Sequence, residues 1–249
     1  MFLKNIINFT IILIATTSFS LAQEYRTESY TFKSTHRNIM GEAIDGTNEN
    51  IVKPDTNITW SIFVPENYDP SKPAGVLLYQ NNTDLNNEPV GWKSVMEERN
   101  LILLTIYNDG TVQEPREILM TIFGLSLVQD MYKINTDRIY VTGYFGCAVA
   151  GLTSKIYANI VKGAIYYNCI PSTWIDEEPP LLETMKNNRY YFLHGRDAMV
   201  KTGLRQAESK YNKSGIKNTK LVRLNSLRDT ENLKRRELLK AVKFLDGEE

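Results

Sequence analysis

From residue 58 onward, short runs rich in β-branched and aromatic residues alternate with longer stretches whose apolar residues recur at helical spacing. The runs lie at 58–64, 75–79, 101–106, 138–141, 164–167, 190–193 and 221–224. The helical stretches lie at 92–100, 118–132, from 147 onward, at 202–211 and at 231–245. Runs such as Leu101-Ile102-Leu103-Leu104 are apolar at every position rather than at alternate ones, the mark of a strand buried on both faces. Strands of that kind, separated by helices, imply an α/β chain with a mostly parallel sheet covered on both sides. Residues 24–56 read as antiparallel edge structure. No linker interrupts the pattern, so residues 23–249 read as one domain, a length that a single core can serve.

The first 22 residues are set apart. Lys4, the apolar stretch 6–15 and the small residues of Ser20-Leu21-Ala22 have the layout of a secretory signal peptide cut after Ala22. The apolar stretch is shorter than the ~20 residues of a spanning helix, so no membrane span is expected after cleavage, and the location expected is secreted or periplasmic. Lys plus Arg and Asp plus Glu each number 29, a balance that argues against a large nucleic-acid footprint. Export permits disulfides, and the chain has two cysteines. Cys147 begins a helix after one strand, and Cys169 follows the next strand. The pair is either a bridge or two buried thiols, and the sequence leaves both open. No metal-ligand spacing, phosphate loop or dinucleotide fingerprint is present, and no cofactor is expected.

Between the strand that ends near Thr142 and the helix that starts near Cys147 stands Gly143-Tyr144-Phe145-Gly146-Cys147. It looks like a nucleophile elbow, G-x-S-x-G, with Phe145 in the serine's place. Further landmarks follow in order. They are Tyr68-Asp69-Pro70-Ser71-Lys72-Pro73, Gly91-Trp92, Glu98-Arg99-Asn100-Leu101 and, most specific of them, Tyr132-Lys133-Ile134-Asn135-Thr136-Asp137-Arg138-Ile139-Tyr140 before the elbow. After it come Lys162-Gly163-Ala164-Ile165-Tyr166, Leu193-His194-Gly195-Arg196-Asp197 and Phe244-Leu245-Asp246. Over residues 58–246 the chain resembles the α/β-hydrolase fold family, in its secreted esterase and polyester (PHB) depolymerase-like branch.

The resemblance implies a serine, a histidine and an orienting acid, together with an oxyanion hole. Asp197 matches the acid. Phe145 occupies the nucleophile position and has no attacking atom. The loop that should carry the histidine, residues 225–230, contains none and has Asp229 near the expected place. The chain's two histidines are His36, ahead of the matched region, and His194, which ends a strand and is expected to be a hydrogen-bonded residue there. The oxyanion loop begins Gln80-Asn81 in place of a small Gly- or Ser-rich turn. Gln80, Asn81, Tyr144, Phe145, Gly146 and His194 are the expected pocket residues. Tyr144, Phe145, Tyr167 and Trp174 are either a stacking surface for a sugar or ordinary packing. The expectation is a secreted α/β-hydrolase-fold protein that has lost ester hydrolysis and binds a ligand, such as an ester or saccharide, or a partner. The alternative is an active carboxylic-ester hydrolase whose non-standard site draws on Asp197, Asp229, His194 or Cys147.

Overall fold

The computed structural model describes residues 25–41, 51–81, 88–107, 114–144, 146–174, 177–227 and 232–248. The strands are β1 (Glu28–Thr35), β2 (Asn57–Val64), β3 (Ala74–Asn81), β4 (Leu101–Tyr107), β5 (Ile134–Tyr144), β6 (Gly163–Tyr167), β7 (Arg189–His194) and β8 (Thr219–Arg223). The helices are α1 (His36–Met40), α2 (Trp92–Arg99), α3 (Glu114–Met131), α4 (Cys147–Ile156), α5 (Leu182–Met185), α6 (Ala198–Lys213) and α7 (Arg235–Leu245). The expected signal peptide lies outside the described residues. No helix among the described residues is long and apolar enough to cross a membrane.

The strands form one sheet in the order β1-β2-β4-β3-β5-β6-β7-β8. β3 through β8 pair in parallel, while β2 runs antiparallel to β4 and β1 runs antiparallel to β2. One face packs on α3, α4 and α6 through residues such as Val76, Leu78, Val141, Tyr166 and Phe192. The other packs on α2 and α7 through Leu77, Tyr79, Tyr140, Ile165 and Tyr191. Consecutive residues thus serve opposite cores, which is why the strands are apolar at every position.

β5 starts earlier than the apolar run at 138–141 suggests. Ala74 pairs with Ile134, but Val76 pairs with Ile139, so extra β5 residues bulge out between them. Arg138 belongs to this bulge, and its guanidinium meets the Asp246 carboxylate at 2.7 Å. Arg99 reaches the same carboxylate at 2.6 Å, and the Tyr140 hydroxyl donates to it at 2.8 Å. Arg138 also donates to the Arg99 carbonyl at 2.9 Å. Three separate sequence landmarks therefore meet in one ionic clasp between α2, β5 and the residue after α7. Asn100, from the same landmark as Arg99, and Tyr68, from one more, tie down loops nearby: Asn100 Nδ2 donates to the Lys72 carbonyl at 2.9 Å, and the Tyr68 hydroxyl to the Lys133 carbonyl at 3.1 Å.

α6 is longer than the expected 202–211 because Asp197 caps it, and α7 is described from Arg235. Of the α3 stripe at 118, 119, 122, 125 and 128, every residue but Ile122 is buried. Gly124 also approaches the sheet closely: a Cβ there would lie 2.5 Å from the Trp60 indole nitrogen. Ile122 is only half-buried. The strong apolar signal of neighbouring residues hid a small-residue contact that permits this approach.

Burial alone would raise the Asp246 pKa, but the hydrogen bonds from Arg138, Arg99 and Tyr140 outweigh it and hold the carboxyl below its ordinary range. A depressed folded-state pKa adds stability that is fully present above the ordinary carboxylate pKa of about 4 and is lost as pH falls through the folded value. Asp246→Asn should cost about 3 kcal/mol at neutral pH, because it leaves the Arg138 guanidinium without a carboxylate and Arg99 with Glu248 alone. Urea midpoints measured from pH 7 down to pH 3 should show the gap between wild type and variant narrowing in the acid range.

Candidate functional site

The C-terminal ends of the parallel strands share one edge of the sheet, and the elbow stands at its middle. Ladder pairing holds Gly143 beside Gln80 and Asn81 beside Tyr144. The chain then reverses into α4 within the next residues. A Cβ at Gly143 would sit 2.7 Å from the Gly146 carbonyl group, and one at Gly146 would sit 3.0 Å from the Gln80 carbonyl oxygen. Both glycines are therefore required by backbone contact, as a strand-to-helix corner this sharp demands. Phe145, between them, and Asp229 lie outside the described residues.

Cys147 and Cys169 are disulfide-bonded, with their Cα atoms 5.8 Å apart. β5 and β6 are adjacent parallel strands, so the residues just past their ends are neighbours. The bridge fixes the first residue of α4 to the end of β6, and a bonded sulfur cannot act as a thiolate nucleophile. Next to it Asn168 adopts a left-handed conformation, φ 53°, and its Oδ1 accepts from the Gly195 amide at 3.1 Å. Asparagine tolerates that conformation better than most residues. The contact aligns the loop after β6 with the loop that carries Asp197.

Asp197 is the N-cap of α6, its Oδ1 accepting from the Val200 amide at 2.7 Å. His194 is 1% exposed, and its Nδ1 lies 2.9 Å from the Gly195 carbonyl oxygen. A carbonyl only accepts, so the proton is on Nδ1. β7 lies two strands from β5, which places His194 roughly 10 Å from the elbow strand at the usual strand spacing. His36 is also buried. Its Nδ1 faces the Val52 carbonyl oxygen at 2.8 Å, and its ring stacks on Phe123 at 4.8 Å.

Gln80 turns away from the sheet edge into the core. Its Nε2 donates to Thr121 on α3 at 3.1 Å and to Thr153 on α4 at 3.2 Å. Both threonine hydroxyls donate to their own helices, at Glu117 and Val149 carbonyls, so they have only acceptor capacity for Gln80. As a pocket residue Gln80 is corrected to a core amide, because two helices supply its partners. Tyr167 and Trp174 are buried at 0% and 8% exposure, so packing rather than sugar stacking describes them. Asn81 and Tyr144 are placed by their backbone at the sheet edge.

Two residues of this region went unnoticed in the sequence. Asn232 follows the loop where a histidine was sought, and its Oδ1 accepts from Tyr167 at 2.8 Å and Tyr79 at 3.2 Å. With Trp92 Nε1 donating to the Leu233 carbonyl at 2.7 Å, it ties the returning chain to β3, β6 and α2. Glu117 is 7% exposed. It lies on the same α3 stripe as Thr121, Gly124 and Val128, at spacings of four, three and four, the signal that could have found it. Burial, and then the charge of Glu114, push its pKa up to about 7. Among the described residues no three His, Cys, Asp or Glu side chains are grouped to hold a metal ion.

No protein-family model matches the sequence, and no curated protein is similar to it in sequence. Solved structures are similar in fold. A thermostable esterase superposes with a TM-score of 0.56 at 15% identity, over 87% of this chain and 60% of that one. A ferulic acid esterase gives 0.57 at 10% identity, over 87% of this chain and 96% of that one. The acylaminoacyl peptidase of Pyrococcus horikoshii gives 0.54 at 14% identity, over 78% of this chain and 39% of that one. At such identities the likeness is one of fold: this chain has the α/β-hydrolase fold of esterases and peptidases.

Two outcomes follow from this geometry. Reducing the Cys147–Cys169 bridge, or replacing both cysteines by Ala, should lower unfolding stability by about 3 kcal/mol, the chain-entropy value for a loop of this size. Urea titration with and without reductant measures it. Glu117 carries the opposite sign from Asp246. A folded-state pKa raised to about 7 means that stability falls as pH rises from the ordinary carboxylate value toward 7. Glu117→Gln should remove that fall, so its stability relative to wild type should rise between pH 5 and pH 7.5.

Proposed function

We propose that this chain is a non-catalytic α/β-hydrolase-fold protein, exported from the cell, that acts by binding a ligand or partner. The observation that carries the reading is an elbow framed by contacting glycines, Gly143 and Gly146, around a residue, Phe145, that cannot attack a carbonyl. The other positions agree with it. Asp197 serves as a helix cap, and neither histidine stands after β8. A preformed hole of backbone donors without nucleophile and base does not turn over an ester.

The binding role draws on the apolar surface around the sheet edge. Met199, the second residue of α6, is 73% exposed, and Ile170, beside Cys169, is 42% exposed. Ile170 also packs over Gly203, where a Cβ would lie 2.3 Å from its Cδ1. Methionine adapts its shape to varied apolar partners, so this rim suits an ester, a saccharide face or a protein side chain.

Purified residues 23–249 should hydrolyse a short-chain p-nitrophenyl ester no faster than the buffer blank. Phe145→Ser should be equally inert, since it restores an oxygen without a base. Asp197→Ala should also match the blank, while losing about 1 kcal/mol of stability as a missing cap. Wild-type turnover abolished by Asp197→Ala would reverse the reading in favour of an active esterase with a non-standard site.

A further inference from the structure

The segment from α6 through β8 carries a charge imbalance that the whole chain does not. Residues 198–223 hold seven Lys or Arg and one carboxylate, Glu208, whereas the full chain balances 29 against 29. That carboxylate is already engaged: Glu208 Oε1 accepts from Asn212 Nδ2 at 2.6 Å and from Thr219 Oγ1 at 3.2 Å. Leu204, Ala207 and Tyr211 face the core, so the opposite stripe faces outward. There Thr202, Arg205, Gln206, Ser209, Lys210 and Lys213 line an open cleft of about 450 Å³.

Among the described residues no carboxylate lines this cleft. Neither Arg205 nor Lys213 is hydrogen-bonded or ion-paired to a carboxylate among the described residues. Cations gathered on one helical face repel each other, and an anion placed among them relieves that repulsion. Arg205 offers a planar fork for an oxyanion, and Gln206 and Ser209 add neutral donors. The Thr202 hydroxyl is spent on the Ala198 carbonyl at 2.8 Å. Lys210 Nζ lies 5.9 Å from the centroid of the Trp174 ring, whose indole N–H is buried without an acceptor among the described residues. The volume falls in the range of small-molecule sites. Arg205 and Lys213 lie eight residues apart on the helix, about 12 Å along its axis.

We propose that this cleft binds a small molecule carrying two or more phosphate, sulfate or carboxylate groups. The proposal is independent of whether the elbow is catalytic. One anionic group engages Arg205, and a second engages Lys213 two turns away.

Isothermal titration calorimetry at fixed ionic strength tests it with inositol hexakisphosphate, sucrose octasulfate and benzenehexacarboxylate, which separate the three anion types, and with inorganic sulfate as the single-anion reference. At least one polyanion should bind at least tenfold more tightly than sulfate. Arg205→Gln combined with Lys213→Gln should weaken it by at least about tenfold, equivalent to ~1.4 kcal/mol. Lys33→Gln combined with Lys240→Gln, at exposed lysines elsewhere, removes the same charge and should leave binding within about twofold of wild type. Both pairs are surface changes, and matching thermal midpoints confirm that each variant is folded. The proposal is overturned if no polyanion binds, if sulfate binds as tightly, or if the control pair weakens binding equally.

Discussion

Strands β3 to β7 are buried on both faces, and the rest of the molecule is arranged around that constraint. A parallel strand cannot turn back on itself, so each pair needs a crossover, and the crossovers supply the covering helices. With both faces closed, the strand ends at one edge are the natural place for chemistry or binding. The glycine contacts between β5 and α4 belong to the same constraint. The helix must leave at once to cover the sheet, and only a corner without side chains at Gly143 and Gly146 lets it do so. The elbow is thus explained by packing whether or not it ever holds a nucleophile.

Much of this was legible in the sequence, for identifiable reasons. Apolar runs located β2 to β8, and within β3 to β7 they are continuous because two cores demand apolar residues at every position. The landmarks that carried the family resemblance were legible too, and their roles are now plain. Arg99, Arg138 and Asp246 form the ionic clasp, Tyr68 and Asn100 fasten loops, and Trp92 holds the segment after β8. They specify a scaffold, which is why they could be recognised without specifying an activity. What escaped the sequence were side chains whose meaning depends on direction. Gln80 sits at a site position yet points into the core, and Asn232 is one polar residue among several until two tyrosines from distant strands meet it. The cysteines illustrate the middle ground. Their placement suggested a bridge, but only the adjacency of β5 and β6 decides it.

Asp197 shows how one residue serves a structural need at a family position. A carboxylate at a helix N-terminus satisfies an amide that otherwise lacks a partner, and that role requires no histidine. Glu117 is the reverse case, a carboxyl sealed against α3's neighbours that favours its neutral form. Around one sheet edge, then, one acid is held by a helix amide and another is sheltered from water, and the buried amide of Gln80 joins two helices. Polar groups here fasten elements together.

The clasp at Asp246 has a consequence for how the chain is made. Its carboxylate lies 147 residues beyond Arg99 and 108 beyond Arg138 in sequence. During synthesis both arginines emerge long before their partner, and so do all eight strands. Until the ribosome has added α7, the sheet carries two guanidinium groups in a half-built interior and has one face covered only by α2. The nascent protein must therefore stay solvated or chaperoned on that side, and its final locking step comes late in translation.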